Sequence, residues 1–180
     1  MRFTVLLPLC LAVSTPALAQ PPGGISGIDF NIGTPMSSPI TGYGDTGVIS
    51  SSLSPWDYSN IEKAQKLIAT GQYAEADGIL TKLVGRTSSK RLRFLKGVSR
   101  LGMGDAAGAR RYFERSLSYG RGGSPGVLSG LAIAEIRLGN RDAAENILQK
   151  LRNQQKNCAS NCERAKPIDD AVIVVEKALA

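Results

Sequence analysis

Apolar side chains in the last two thirds of the chain recur at intervals of three and four. Leu67 and Ile68 begin the pattern, which runs on through Ile79, Leu80 and Leu83, then Leu92, Leu95, Val98 and Leu101. It resumes at Leu128, Leu131 and Ile136 and again at Ile147, Leu148 and Leu151. This is the spacing of one face of an α-helix, and no stretch alternates for long enough to make a half-buried strand. Ser54-Pro55 and Ser124-Pro125 each put a hydroxyl cap before a proline suited to a first helical position. Gly71, Gly85, Gly104, Gly120 and Gly139 punctuate the pattern as turn and cap residues. The last stretch, Asp169 to Leu179, is rich in Val and Ile. The break at Pro167, acids at its start and Lys177 near its end predict a closing helix rather than a strand.

The first third reads differently. Val5 to Val13 is a short apolar run after Arg2, followed by Ala17-Leu18-Ala19. That is the three-part pattern of a secretory signal, with cleavage expected before Gln20. The run is too short to cross about 30 Å of hydrocarbon, and no second apolar stretch follows. Export to a periplasmic or secreted location is the expectation. Residues 20–54 are rich in Gly, Ser and Pro, lack Lys and Arg, and carry only Asp29 and Asp45 as charges. Such composition does not bury enough apolar surface to offset its ordering entropy, so a flexible leader is expected. The division is therefore a signal over 1–19, a leader over 20–54, a helical array over 55–156 and a C-terminal capping helix within 157–180.

The array repeats. Gly71-Gln-Tyr73-Ala74-Glu-Ala76 aligns with Gly104-Asp-Ala106-Ala107-Gly-Ala109 and with Gly139-Asn-Arg141-Asp-Ala143-Ala144. The glycines are 33 and 35 residues apart. Leu80, Phe113 and Leu148 occupy the equivalent large apolar position, while Ala64, Gly97 and Ala132 occupy a small one upstream. In period and in these residues the chain resembles the tetratricopeptide repeat family, whose units are helix pairs of about 34 residues. It departs from the family pattern in lacking the first-helix tryptophan and a clear proline at the end of each unit. The resemblance implies an all-α fold: a short right-handed α-solenoid of about three helix pairs plus a closing helix. Ala76, Ala109 and Ala144 would then sit where paired helices approach closely.

The resemblance also implies a role: an adaptor or scaffold that holds a protein or peptide against the first helices of the pairs. By register the inward positions are Tyr58, Ile61, Gln65, Arg91, Phe94, Val98, Ile133 and Arg137, although aliphatics there are as well suited to inter-repeat core. Arg86 to Gly123 holds ten basic residues against Asp105 and Glu114 alone, in a chain of net charge +7. One basic unit between near-neutral neighbours points to an acidic partner. Nucleic acid is not expected in an exported protein. An anionic envelope polymer or self-assembly is the other reading, and the oligomeric state is open. The chain has no histidine, no nucleophile elbow and no phosphate loop, so no enzyme and no cofactor are expected. Cys158 and Cys162 are expected to form a disulfide in an oxidising compartment. No metal site is expected, since these two lack the further ligands that zinc needs.

Overall fold

The computed structural model describes residues 54–117, 123–158 and 162–180. These form seven helices: α1 (Pro55–Ala69), α2 (Tyr73–Val84), α3 (Lys90–Gly102), α4 (Ala106–Ser116), α5 (Pro125–Arg137), α6 (Arg141–Asn157) and α7 (Ala165–Leu179). There is no strand among the described residues. The expected signal and all of the expected leader before Ser54 lie outside them, as do Gly120 and Arg121.

The helix ends follow from the residues that the sequence places there. Ser54 caps α1 in a reciprocal box with Asp57, and Pro55 fills the first helical position. Ser89 and Asp105 cap α3 and α4 through the amides of Leu92 and Gly108. Three turns inside the pairs share one geometry. Gly71, Gly104 and Gly139 have φ of 78°, 85° and 81°. Their amides donate to Ile68, Leu101 and Ile136, and the amide after each reaches back to Leu67, Arg100 and Glu135. This is the left-handed glycine closure of a helix C-terminus. A Cβ at any of the three would meet nothing within 4 Å, so backbone conformation alone requires glycine there.

Consecutive helices pack antiparallel as pairs: α1 with α2, α3 with α4 and α5 with α6. Each pair stacks on the next through α2 against α3 and α4 against α5. The first helices also touch one another, α1 with α3 and α3 with α5, whereas α2 and α4 do not meet among the described residues, nor do α4 and α6. First helices closer together than second helices make the stack curve, with α1, α3 and α5 on the inside. Helix α7 packs on both α5 and α6 and so stands where the first helix of a fourth pair would stand. Ala76, Ala109 and Ala144 are fully buried, as the close approach of paired helices demands. Cys158 and Cys162 are disulfide-bonded with Cα atoms 5.7 Å apart, joining the end of α6 to the approach to α7.

Phe113 is the centre of the stack. Its side chain is 0 % exposed and lies between two glycines on different units. A Cβ on Gly97 of α3 would fall 2.7 Å from the ring, and one on Gly130 of α5 would also fall 2.7 Å from it. The small residues are therefore the space into which the Phe113 ring fits. The same ring lies 6.0 Å from Phe94, tilted by 48°.

The N-terminal cap gives the array an acid-sensitive end. The Ser54 backbone amide and then its hydroxyl hold the Asp57 carboxyl below its ordinary range, with Arg86 adding a smaller push in the same direction. Asp105 is lowered chiefly by the Gly108 amide and then by Arg100. A carboxyl depressed on folding contributes stability that is present above its unfolded value of about 3.9. That contribution is lost as pH falls through the lower folded value. The melting temperature should therefore fall on acidification below about pH 4. The Asp57→Asn, Asp105→Asn double variant should show a flatter fall over that window, measured by circular dichroism.

Candidate functional site

The inner face carries the candidate partner-binding residues, and the structure divides them. Tyr58 is 41 % exposed near the start of α1, and Arg91 is exposed at the equivalent place on α3. Gln65 is partly exposed one step along α1. Phe94 is half-buried, seated against Phe113 and over Gly126. Arg137 is exposed at the end of α5, and its guanidinium donates to the Leu101 carbonyl at 2.7 Å. That bond ties α5 to the C-terminus of α3 and leaves other N–H groups of the fork for a ligand.

Ile61, Val98 and Ile133 do not belong to that surface. All three are buried in the common core, and this corrects the register-based expectation for them. The reason is that each first helix packs on more than one side, α3 against α1, α2, α4 and α5, and α5 against α3, α4, α6 and α7, which covers the middle of its inner face. Only the positions towards the helix ends remain open. The accessible inner surface is thus two ends joined by a shallow floor, with Tyr58 and Arg91 at one end and Arg137 at the other.

The basic central unit is the larger surprise. Much of its charge is matched from the flanking units. Arg86 meets Asp57 of α1 at 3.0 Å. Lys96, 1 % exposed, meets Asp77 of α2 at 2.9 Å and also donates to the Thr81 hydroxyl. Arg100 grips the same Asp77 with two bonds of 2.8 and 3.0 Å and reaches Asp105 at 3.1 Å. Asp77 is itself only 8 % exposed, so its two cations satisfy a carboxylate that burial would otherwise penalise. At the next junction Arg110 of α4 meets Glu135 of α5 at 3.1 Å, and Glu114 at 3.0 Å. Glu135, 5 % exposed, also accepts from the Asn140 side chain at 2.7 Å.

These two junctions use equivalent positions with the charges exchanged. Asp77 and Arg110 are 33 residues apart, and Arg100 and Glu135 are 35 apart, matching the glycine spacings. At the first junction the acid is on the second helix and the base on the following first helix. At the second junction the order reverses. Stacking the first unit directly on the third would set Asp77 against Glu135, which is repulsive and desolvated. Buried ion pairs of this kind add little net stability but penalise the wrong arrangement. The Asp77, Lys96 and Arg100 cluster was not among the residues singled out from sequence. Its signal was present: an acid and a base at register positions that face each other across neighbouring units.

No group of three or more His, Cys, Asp or Glu side chains that could hold a metal ion occurs among the described residues. No described helix is long and apolar enough to cross a membrane.

Comparison with known proteins agrees with this architecture. Residues 100–166 match the family model of the tetratricopeptide repeat, a span that runs from the end of α3 to the first turn of α7. Neither the curated proteins nor the solved structures gave a match to the chain.

Proposed function

Since this chain is a tetratricopeptide-repeat protein, a module of protein–protein interaction, we propose that it is an exported scaffold that seats a peptide or partner helix on the inner faces of α1, α3 and α5. The observation that carries this reading is the arrangement of accessible side chains on that face. Tyr58 and Arg91 stand exposed at equivalent places on adjacent first helices, and Arg137 stands at the far end. An aromatic beside a guanidinium is the residue pair most enriched where binding energy concentrates. Two arginines and no unpaired acid among these positions favour an acidic segment. Lys96, Arg100 and Arg110 are engaged inside the array, so the acidic preference of this face rests on Arg91 and Arg137.

Export rests on the N-terminal pattern of Arg2, the apolar run and Ala17-Leu18-Ala19. The disulfide between Cys158 and Cys162 is in keeping with an oxidising compartment. A non-catalytic role accords with what is typical of the family and with the absence of histidine from the chain.

The test is photo-crosslinking in living cells from a benzoylphenylalanine placed at Tyr58. That position is exposed and already aromatic, whereas Phe94 is packed against Phe113 and would disturb the core. One dominant protein adduct, lost on Arg91→Glu, is the expected result. A diffuse ladder of adducts that is indifferent to Arg91→Glu would sink the proposal.

A further inference from the structure

Helix α4 carries three arginines on the back of the array, and only one of them is turned into a neighbouring unit. Arg110 is committed to Glu114 and Glu135. Arg111 and Arg115 have no carboxylate within ion-pair distance among the described residues, although the Arg111 charge reaches Asp105 through space. They border a depression of 200 Å³ together with Arg100, Asp105, Gly108 and Tyr112. This side of α4 looks towards α2. Lys96, which reaches Asp77 of α2, lies 5.3 Å from the centre of the Tyr112 ring.

We propose that this depression binds a phosphate- or sulfate-type oxyanion between Arg111, Arg115 and the Tyr112 hydroxyl, on the opposite side of the array from the inner face. Three features support that chemistry. Asp105, the acid that lines the depression, is already engaged, as is Asp77 behind Arg100. Asp105 accepts from the Gly108 amide at 2.8 Å and from Arg100 at 3.1 Å, and Asp77 is held by Lys96 and Arg100. The Tyr112 hydroxyl has no hydrogen-bond partner among the described residues and is free to donate. Arg111 and Arg115 are one helical turn apart on the same face, so their planar forks can converge on one tetrahedral group from its side.

The floor is fixed before any ligand arrives. A Cβ on Gly108 would fall 2.1 Å from the Asp105 carboxylate, so glycine is what lets Asp105 cap α4 and hold Arg100 in place at the rim. The site goes beyond the peptide-scaffold reading and does not depend on it. Free inorganic phosphate and a phosphodiester borne on an envelope polymer or lipid share the recognised chemistry.

The test is a titration of the isotope-labelled full chain with inorganic phosphate at constant ionic strength, followed by NMR at the arginine Nε–H groups and the Gly108 amide. Saturating shifts with one affinity at Arg111 and Arg115 are expected. The Arg111→Gln, Arg115→Gln double variant should bind at least about tenfold more weakly with an unchanged melting temperature, because both side chains are exposed. Arg91→Gln, on the inner face, should leave phosphate binding unchanged, which separates this site from the peptide groove. A second titration with glycerophosphoglycerol assigns the source. Tighter binding of the diester points to a polymer or lipid, and tighter binding of the free ion to phosphate itself. Linear shifts without saturation, or a double variant that binds as well as the parent, would overturn the proposal.

Discussion

Phe113→Ala should destabilise the array by about 3–5 kcal/mol, the usual cost of deleting a fully buried phenylalanine. The cavity would open between two units at once, since the ring touches both the Gly97 and the Gly130 positions. Neither glycine can collapse into the space with a side chain of its own. The converse substitutions, Gly97→Ala and Gly130→Ala, push a methyl group into the ring and should each cost about 1–3 kcal/mol by overpacking. Urea denaturation followed by circular dichroism reads all three. A repeat array is stabilised largely by stacking between neighbours. The Phe113→Ala loss should therefore lower the stability of the second and third pairs together. A loss below about 1 kcal/mol, well under the usual range, would mean that Phe113 is not what joins them.

Removing the acid at the first junction should have an effect of similar size. Asp77→Ala strands the buried Lys96 ammonium with only the Asp77 backbone carbonyl and the Thr81 hydroxyl as acceptors. Breaking a buried pair in this way costs about 3–5 kcal/mol. Lys96→Met, which removes the ammonium and keeps an apolar stem of similar volume, should be far milder, because Arg100 still satisfies Asp77. The second junction tests the exchange of charges directly. Glu135→Arg sets two cations together across α4 and α5, and adding Arg110→Glu should recover part of the loss. Residues that act independently would instead give additive losses. Additivity would show that the exchanged charges do not fix which unit stacks on which.

The local features of the fold are legible in the residues because their causes are local. Serine before proline at 54–55 starts α1 with the expected hydroxyl cap, whereas at 124–125 the proline opens α5 but Ser124 makes no side-chain cap bond; glycine at 71, 104 and 139 ends helices with positive φ. Each of these needs only a few neighbouring residues to act. The repeat is equally legible, since Ala76, Ala109 and Ala144 recur in register with the glycines. Three units follow from that spacing, and the closing helix from Pro167, the acids after it and Lys177.

Which residues remain at the surface was decided elsewhere. Helical periodicity marks Ile61, Val98 and Ile133 as inward, but inward is not the same as accessible. A first helix in a stack packs against its partner, against the preceding second helix and against the first helices on either side. That packing on several sides at once buries the middle of the inner face and leaves Tyr58, Arg91 and Arg137 open at its ends. Charge behaves in the same way. The excess of cations between Arg86 and Gly123 is visible in the sequence as a count. Their engagement with Asp57, Asp77 and Glu135 joins residues 19 to 29 positions apart, a distance that stacking closes and local sequence does not. Sequence by itself determined the repeating unit and its turns, because those are set by backbone conformation and side-chain size within one helix pair. The tertiary structure decided which charges face each other and which side chains face solvent, because both depend on how one pair rests on the next.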